Sequence, residues 1–441
     1  MFIRFVQISL LVIVMTISFT PAYSETGIVL TGIDVLQRDG FRALAGRNIG
    51  LITNHTGIDR SGISNIQLLH DASEVNLVVL FSPEHGLFGK LDVPLIDDAE
   101  DLGTGIRIFS LYGNTRVPTS DMLKNIDTLV FDIQDIGTRF YTYISTMGHA
   151  MQAATDNGKR FVVLDRPNPI NGITVTGPVL DKGGQSFTGF HRLPVRHGMT
   201  IGELALMFKA ELQLDLDLEI IPMEAWNRAD YFDATGLKWI NPSPNMRSLT
   251  EAILYPGIGL LETTNLSVGR GTDTPFELFG APWLDGEQFA LELNRLNLPG
   301  VEFKALQFTP DSSKFAGELC GGISILITDR ERFESVRTGI EIALQLRRLY
   351  PQDWEIDAYD RLLVNEAVLT AIRLGRPFAE IESVYHAGLT EFTKRRSQYL
   401  IYHELSASTG FSEPALPDQN SWINHPAKKV SKDPTAAYHG Q

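Results

Sequence analysis

Four short apolar runs, each followed at once by polar turn residues, limit how this chain can fold. The runs lie at residues 48–53, 76–81, 128–133 and 161–165, and valine, isoleucine and leucine dominate them. Continuous apolar runs of this length are typical of parallel strands that are buried on both faces. Because helix-compatible segments separate the runs, the sequence predicts an α/β fold with a mainly parallel, Rossmann-like sheet within residues 46–180.

Ionisable and amide side chains follow these apolar runs. In an open α/β sheet the carboxyl ends of parallel strands meet at one edge, where ligands bind in a crevice. A purely structural turn has no need for so many such groups, so we expect a shared polar site at this edge. The groups are Asn54, His55, Glu84, His85, Asp132, Asp135, Arg166 and Asn168.

The rest of the chain predicts a second, smaller domain. Thr200 and Glu203 form a capping box that starts a helix reaching residue 212. Further helices are predicted at 286–296, 332–350, 360–372 and 378–389, with a strand at 322–328. We therefore predict a Rossmann-like catalytic domain at 25–250, a C-terminal α+β domain at 251–410 and a flexible tail at 411–441, with an active-site cleft between the two domains.

The first 24 residues have the pattern of a secretory signal peptide. Arg4 supplies the positive charge, residues 8–19 are apolar, and Ala22-Tyr23-Ser24 fits the small-residue cleavage pattern. The apolar run is shorter than the ~20 residues of a membrane-spanning helix. We expect a secreted, periplasmic protein without stable membrane insertion after cleavage.

Composition excludes two classes of protein. Arg4 is the only charged residue in the predicted signal peptide, so cleavage moves the formal net charge from −15 to −16. Sequence-independent nucleic-acid binding requires lysine and arginine at the phosphates, so we predict no nucleic-acid partner. The single cysteine, Cys320, excludes an intrachain disulfide scaffold.

Several catalytic classes lack their sequence patterns. There is no pair of histidines at metal-ligand spacing, no cysteine pair and no carboxylate-rich calcium loop, so we predict neither a metal nor a cofactor. No Gly-x-Ser-x-Gly elbow occurs, and Gly257-Ile258-Gly259 lacks the third glycine of a dinucleotide fingerprint. A metal-dependent hydrolase remains a weaker alternative because His55, His85, Asp132 and Asp165 are ligand-type residues.

The chemistry that remains uses carboxylates. Glycoside hydrolysis needs a carboxylic acid that protonates the leaving oxygen, and Glu84 follows a predicted buried strand. Tyr112, Tyr141 and Tyr143 could offer aromatic faces to a sugar ring. Asparagines could bind hydroxyl and acetamido groups, and four arginines are candidates to hold a substrate carboxylate. These arginines are Arg139, Arg166, Arg196 and Arg270.

The order of these motifs resembles a known family, the NamZ-type exo-β-N-acetylmuramidases, long catalogued as a domain of unknown function. Residues 90–102 depart from the family pattern. The matching segments are residues 50–57, 81–86, 130–137, 139–143, 165–172, 194–200, 243–246, 262–267 and 269–272. The resemblance implies an enzyme that releases N-acetylmuramic acid (MurNAc) from the non-reducing ends of peptidoglycan fragments or muropeptides.

The resemblance and the residue chemistry together define a candidate site. We predict Glu84 as the general acid, supported by His85 and Asp132 as its nearest polar neighbours. The second catalytic group is Asp132, Glu262 or the substrate's own acetamido group; carboxyl separations of about 5 Å or about 6.5–9.5 Å would indicate retention or inversion. The predicted substrate-binding residues are Asn54, His55, Arg139, Tyr141, Arg166, Asn168, Asn171, His197, Asn245, Glu262 and Arg270.

A non-enzymatic alternative also fits the expected architecture. Two α/β domains around a cleft describe periplasmic muropeptide- or sugar-binding proteins as well as hydrolases. Such a receptor would bind the saccharide without turnover, and fold alone does not separate the two functions.

Overall fold

The computed structural model describes residues 28–93 and 95–402 of the 441-residue chain. The predicted signal peptide, residues 1–24, and the predicted tail, residues 411–441, lie outside the described residues. The strands are, in chain order, β1 Asn48–Thr53, β2 Asn76–Ser82, β3 Ala99–Glu100, β4 Arg107–Ser110, β5 Thr128–Asp132, β6 Arg160–Leu164, β7 Thr176–Val179, β8 Pro194–Arg196, β9 Leu218–Ile221, β10 Leu278–Ala281, β11 Val301–Phe308 and β12 Cys320–Ile327.

The helices alternate with the strands in the first half of the chain and dominate the last quarter. Short 3₁₀ turns link several of them, including Gly259–Leu261. In chain order the α-helices are α1 Gly32–Arg38, α2 Asn65–Asp71, α3 Ser120–Leu123, α4 Tyr143–Asp156, α5 Ile201–Glu211, α6 Leu249–Ile258, α7 Gly286–Arg295, α8 Ser335–Leu349, α9 Asp360–Leu363, α10 Glu366–Arg373 and α11 Phe378–Arg396.

A seven-stranded sheet in the order β3-β4-β2-β1-β5-β6-β9 forms the centre of the fold. All its neighbouring strands are parallel except the edge pair β3 and β4. The chain builds outward from β1 to β2 and β4, then returns to β5 on the other side of β1. The reversal of strand order therefore lies between β1 and β5, where Thr53 is in register with Asp132.

Alternating residues of the central strands enter two separate hydrophobic cores. Val130 packs on the face covered by α1 and α2, whereas its neighbours Leu129 and Phe131 pack on the face covered by α4 and α5. This alternation follows from the two-residue period of a strand. Because both faces are covered, the strands are apolar throughout, and the predicted α/β architecture with a mainly parallel sheet is confirmed.

The C-terminal part is the smaller α+β region that the sequence predicts. Strands β10, β12 and β11 form an antiparallel sheet, on which α7 packs, and α8 lies against α6. The predicted boundary between residues 250 and 251 falls inside α6, so this helix belongs to both halves of the chain.

Two predicted helices have different bounds in the structure. The helix predicted at 360–372 is broken into α9 and α10, because Val364 adopts a left-handed conformation with φ 44°. Asn365 then caps α10 by accepting a hydrogen bond from the backbone of Val368 at 3.1 Å. The helix predicted at 378–389 continues to Arg396, since Phe392 in its last turns is fully buried.

Candidate active site

A cavity of about 270 Å³ lies beyond the carboxyl end of β2, and we call it the glutamate cavity. Its wall is built by the turn after β2, the start of α4, the loop before α6 and the segment after α6. Both predicted domains therefore contribute to it. Six of the predicted site residues line it: Glu84, His85, Tyr141, Asn245, Glu262 and Arg270.

Glu84 is held by a tight turn and by a hydroxyl group. The next two residues, His85 and Gly86, have positive φ angles of 69° and 72°, so the backbone reverses direction sharply after Glu84. The Thr142 hydroxyl donates to Glu84 Oε2 at 2.5 Å, just before α4 begins. Burial and the nearby Glu84 raise the pKa of Tyr112 to about 12, so its hydroxyl stays protonated beside this carboxyl group.

His85 supports the turn rather than facing Glu84 with a hydrogen bond. Its Nδ1 lies 2.8 Å from the carbonyl oxygen of Leu91, which ties the turn to the residues that follow it. The prediction that His85 and Asp132 are the nearest polar neighbours of Glu84 is wrong for Asp132, because Thr142 makes the direct contact.

Three tyrosines form an aromatic wall of the cavity. Tyr141 meets Tyr143 edge to face at 5.0 Å between ring centroids, and meets Tyr255 in the same way at 5.9 Å. The Tyr143 hydroxyl donates to the carbonyl oxygen of Pro242 at 2.5 Å. Burial raises the pKa of all three tyrosines, so they remain neutral and present apolar ring surface to the cavity.

Arg270 is the centre of a charged cluster that also lines the cavity. Its Nη2 donates to both carboxylate oxygens of Asp92, at 2.8 and 2.6 Å, and its Nη1 donates to Glu262. Asn245 Nδ2 donates to Asp92 at 3.1 Å. Burial opposes the charged state of Arg270, but the two carboxylates outweigh it and raise the pKa of the guanidinium.

Asp92 is correspondingly kept ionised. Partial burial acts to raise the pKa of this carboxyl group, but the hydrogen bond and charge of Arg270, with help from Asn245, lower it below its ordinary value. The glutamate cavity therefore contains three carboxyl groups, those of Glu84, Asp92 and Glu262, and one guanidinium.

Asp132 lies outside this cavity, in a cluster that we call the switch-point network: Asn65, Asp132 and Arg166. Arg166 Nε and Nη2 donate to the two oxygens of Asp132 at 2.5 and 3.0 Å. Asn65 Nδ2 adds a third hydrogen bond at 2.8 Å. Both side chains of the ion pair are almost fully buried, 0% and 5% exposed. This geometry encloses Asp132 and holds it to Arg166, which lines a separate cavity of about 130 Å³.

Arg139 and His197 are also buried away from the cavity. The Arg139 guanidinium donates to the backbone carbonyls of Pro178, Leu193, Leu362 and Leu363, which joins the two halves of the chain. Burial lowers the pKa of Arg139 to about 9. His197 accepts from the backbone of Met199 at 3.2 Å, and burial lowers the pKa of its ring to about 3, so it is neutral.

The remaining predicted residues shape the backbone around the strand ends. Asn54 accepts from Thr56, and Asn171 accepts from Ile173 and Thr174 in a turn. Asn168 donates to the carbonyl oxygen of Met199. His55 lies 2.7 Å from the carbonyl oxygen of Asn241, and burial lowers the pKa of its ring. The structure gives these four side chains bonds to the backbone and does not place them on the wall of the glutamate cavity.

Among the cavity residues that the sequence did not single out, Asp92 and Thr142 contact predicted site residues directly. Asp92 follows no predicted strand, and only the fold brings it to Arg270, so no local pattern could have identified it. Thr142 lies in the polar-aromatic segment Tyr141-Thr142-Tyr143, where its position just before a helix was the available signal.

Two further findings concern metal binding and membrane crossing. Within residues 28–93 and 95–402, histidine, cysteine, aspartate and glutamate form no group of three or more that could hold a metal ion. No helix in the same part of the chain has the length and apolar character needed to cross a membrane.

Comparison with known proteins places this geometry in a family. The models described as exo-beta-N-acetylmuramidase NamZ, N-terminal and C-terminal, match residues 49–250 and 253–402. The chain is 46% identical over 378 residues, 85% of its own length and 91% of the relative's, to peptidoglycan beta-N-acetylmuramidase NamZ of Bacillus subtilis (strain 168).

Solved structures show the same fold. A DUF1343 family protein from Bacteroides fragilis NCTC 9343 is 38% identical with a TM-score of 0.79, covering 85% of this chain and 99% of that one. A second protein of that family and organism is 29% identical with a TM-score of 0.70, covering 86% of this chain and 100% of that one. The chain therefore belongs to the NamZ family of exo-β-N-acetylmuramidases, which are glycosidases.

Proposed function

We propose that this protein is an exported glycoside hydrolase that releases MurNAc from the non-reducing end of peptidoglycan fragments, in cell-wall turnover or recycling. The observation that carries this proposal is the pairing, in one cavity, of a carboxyl group suited to proton transfer with an arginine suited to a carboxylate. MurNAc is a hexosamine whose lactyl group carries a carboxylate, so both features match it. The activity in the name of the Bacillus relative supports the same substrate.

Glu84 is the proton donor in this proposal. The bond between sugar C1 and the leaving oxygen breaks, that oxygen takes the proton of Glu84, a water oxygen forms the new bond to C1, and a carboxylate of the cavity takes the proton that this water gives up. The Thr142 hydroxyl fixes the orientation of the glutamate through its hydrogen bond to Oε2. An oriented acid within reach of the leaving oxygen contributes about 10²–10⁴ to the rate.

Glu262 is the carboxylate best placed to assist Glu84. Of the two residues predicted for that role, Glu262 lines the cavity, whereas Asp132 is held in the switch-point network. Glu262 accepts a hydrogen bond from Arg270, and its backbone carbonyl accepts from Lys314. The substrate's 2-acetamido group is the alternative nucleophile, and it would need no second carboxylate.

Arg270 is the residue we assign to the lactyl carboxylate. Four arginines were candidates, and the other three are committed elsewhere: Arg139 and Arg196 to backbone carbonyls, and Arg166 to Asp132. A guanidinium binds a carboxylate through two parallel hydrogen bonds, which gives both affinity and orientation. Asn245 stands beside it as a second donor.

Export is part of the proposal and rests on the sequence. Residues 1–24 carry the charge, apolar run and small-residue site of a secretory signal, and peptidoglycan lies outside the cytoplasmic membrane. A periplasmic destination agrees with a substrate made of cell-wall fragments.

A chromogenic assay tests the proposed function directly. We expect the purified protein to release the chromophore from a β-MurNAc glycoside. We expect at least about tenfold lower kcat/KM on the matched β-N-acetylglucosamine (GlcNAc) glycoside, since a charge-assisted bidentate contact is lost. Saturable MurNAc binding by calorimetry without any chromophore release would instead identify a muropeptide receptor. Activity that chelation abolishes and added metal restores would favour the metal-dependent alternative.

A further inference from the structure

The residues that follow the turn of Glu84 form a largely exposed segment beside the cavity. We call residues 87–93 the Asp92 segment. Three of its apolar side chains face solvent, with Phe88 63% exposed and both Leu91 and Val93 46% exposed, whereas Leu87 at its start is buried in the core. Burial of Leu87 holds the start of the segment, and because the exposed apolar side chains gain little from burial, the remainder depends on polar contacts.

Few polar contacts hold this segment to the rest of the protein. Within it, the backbone of Leu91 is bonded to both the backbone and the side chain of His85. Beyond it, the backbone of Ile96 donates to Tyr112 at 2.9 Å. Between these two points, the side-chain contacts of the described residues are those of Asp92 with Arg270 and Asn245. The hydrogen bonds of Asp92 therefore hold the C-terminal end of the segment to the cavity.

The partners of Asp92 are the two donors that the proposed function assigns to a substrate carboxylate. Arg270 Nη2 donates to both oxygens of Asp92, so Asp92 occupies a donor that an incoming carboxylate would need. Its Nη1 is already used by Glu262. Three carboxylates around one guanidinium would leave two negative charges without a counter-ion, so Asp92 and a substrate carboxylate compete.

We propose that Asp92 acts as a built-in stand-in for the substrate carboxylate. In the free protein it occupies the Arg270–Asn245 site; when MurNAc binds, its lactyl carboxylate takes over both donors and the Asp92 segment is released. This inference rests on the proposed function, because it takes the lactyl group as the competing ligand.

In this exchange, the Asp92 segment is released only when the ligand carries a carboxylate. A neutral hexosamine such as GlcNAc has no group that can replace Asp92, so it binds without releasing the segment. Asp92 also keeps the guanidinium aimed into the cavity and paired while no substrate is present, which avoids a partly buried unpaired charge. Asp92 thus lowers the affinity for ligands that carry a carboxylate, whereas an uncharged sugar leaves the segment in place.

Substitutions of Asp92 test the exchange. We expect Asp92→Asn to bind free MurNAc about two- to fivefold more tightly than the unaltered protein by calorimetry, and Asp92→Ala at least as tightly, since a half-exposed ion pair is removed. GlcNAc binding should not change. Asp97→Asn is the matched control, because it removes the same charge from a neighbouring exposed residue outside the cavity. With the chromogenic MurNAc glycoside, the KM of Asp92→Asn should fall by the same factor as its dissociation constant for MurNAc.

Hydrogen exchange provides a readout that is independent of affinity. In the unaltered protein, saturating MurNAc should speed amide exchange in residues 87–93, while GlcNAc should not; in Asp92→Ala exchange should be fast without any ligand. MurNAc that slows exchange there would overturn the proposal, as would unchanged or weaker MurNAc binding by Asp92→Asn.

The outcomes also separate this inference from the proposed function. A kcat that falls 100-fold or more in Asp92→Asn would make Asp92 part of the catalytic machinery and refute the stand-in role. MurNAc hydrolysis with unchanged Asp92→Asn affinity removes the inference and leaves the proposed function intact. Absence of both MurNAc binding and hydrolysis in all three forms would overturn both.

Discussion

The ends of β2 and β5 make an instructive pair, because each presents a carboxylate at the end of a buried parallel strand: Glu84 follows β2, and Asp132 is the last residue of β5. At β5, Asp132 receives two hydrogen bonds from Arg166 and one from Asn65, and its side chain is 0% exposed. At β2, Glu84 receives one from Thr142 and lines a cavity of about 270 Å³. The strand end nearer the reversal of strand order is thus the closed one.

The difference lies in unused hydrogen-bonding capacity and access. A carboxylate has about four acceptor positions, and a buried one must fill them or be paired with a cation to offset its desolvation. Asp132 is paired and enclosed, so it contributes to stability. Glu84 retains free capacity toward an open space, so it can meet a substrate. Position at a strand end predicts a polar residue, and the surroundings decide whether it can react.

The first prediction concerns the open strand end, that of β2, and has the largest expected effect on activity. Glu84→Gln keeps the shape and the acceptor for Thr142 but has no transferable proton, so we expect kcat on a β-MurNAc glycoside to fall by about 10²–10⁴. Thermal unfolding should be nearly unchanged. Full activity in this variant would refute the role of Glu84 as proton donor.

Glu262→Gln is the matched variant within the same cavity. A loss as large as that of Glu84→Gln would identify a mechanism with two carboxylates, whereas retained activity would favour the substrate's acetamido group as the nucleophile. Either result leaves the assignment of Glu84 to be judged by its own substitution.

The second prediction concerns the closed end. Asp132→Asn leaves the buried charge of Arg166 without its counter-ion, so we expect the free energy of unfolding to fall by about 3–5 kcal/mol in denaturant titrations. The folded fraction should retain kcat. Asp357→Asn is the control, because its ion pair with Arg373 is exposed and should cost less than about 1 kcal/mol. A loss of kcat with unchanged stability would show that Asp132 takes part in catalysis.

Glu84 and Asp132 also show which features the sequence could predict and which it could not. The strand at 128–133 and the strand at 76–81 were predictable, because burial on both faces leaves a continuous apolar run. The family resemblance singled out Glu84. The commitment of Asp132 to Arg166 was not predictable, since it depends on the packing of β5 beside β6. Asp92 was missed for the same reason: its partner Arg270 lies 178 residues away in the chain.

The third prediction tests whether the cavity recognises a carboxylate. Arg270→Lys keeps the positive charge but loses the planar fork, so we expect KM for a β-MurNAc glycoside to rise about tenfold, or roughly 1.4 kcal/mol. KM for the GlcNAc glycoside should not change. Arg247→Lys is the control, because Arg247 bonds the backbone of Thr272 and Asp273 outside the cavity. Equal effects on both sugars would show that Arg270 supports the fold of the cavity rather than the lactyl group.

The smallest expected effect tests the closed end of the comparison, where the buried carboxyl group of Asp135 has no ion-pair partner among residues 28–93 and 95–402. It accepts from the backbone of Gly137 at 2.7 Å, and burial raises its pKa to about 7. An unfolded aspartate titrates near 3.9, so between about pH 4 and pH 7 the native state binds the extra proton and the free energy of unfolding falls as pH rises. Asp135→Asn removes this dependence. We expect the variant, relative to the unaltered protein, to gain about 1–3 kcal/mol between pH 5 and pH 8 in urea titrations, because only the unaltered protein must ionise a buried acid. Parallel pH profiles for the two proteins would mean that Asp135 is ionised throughout this range, and that enclosure alone does not distinguish the closed strand end from the open one.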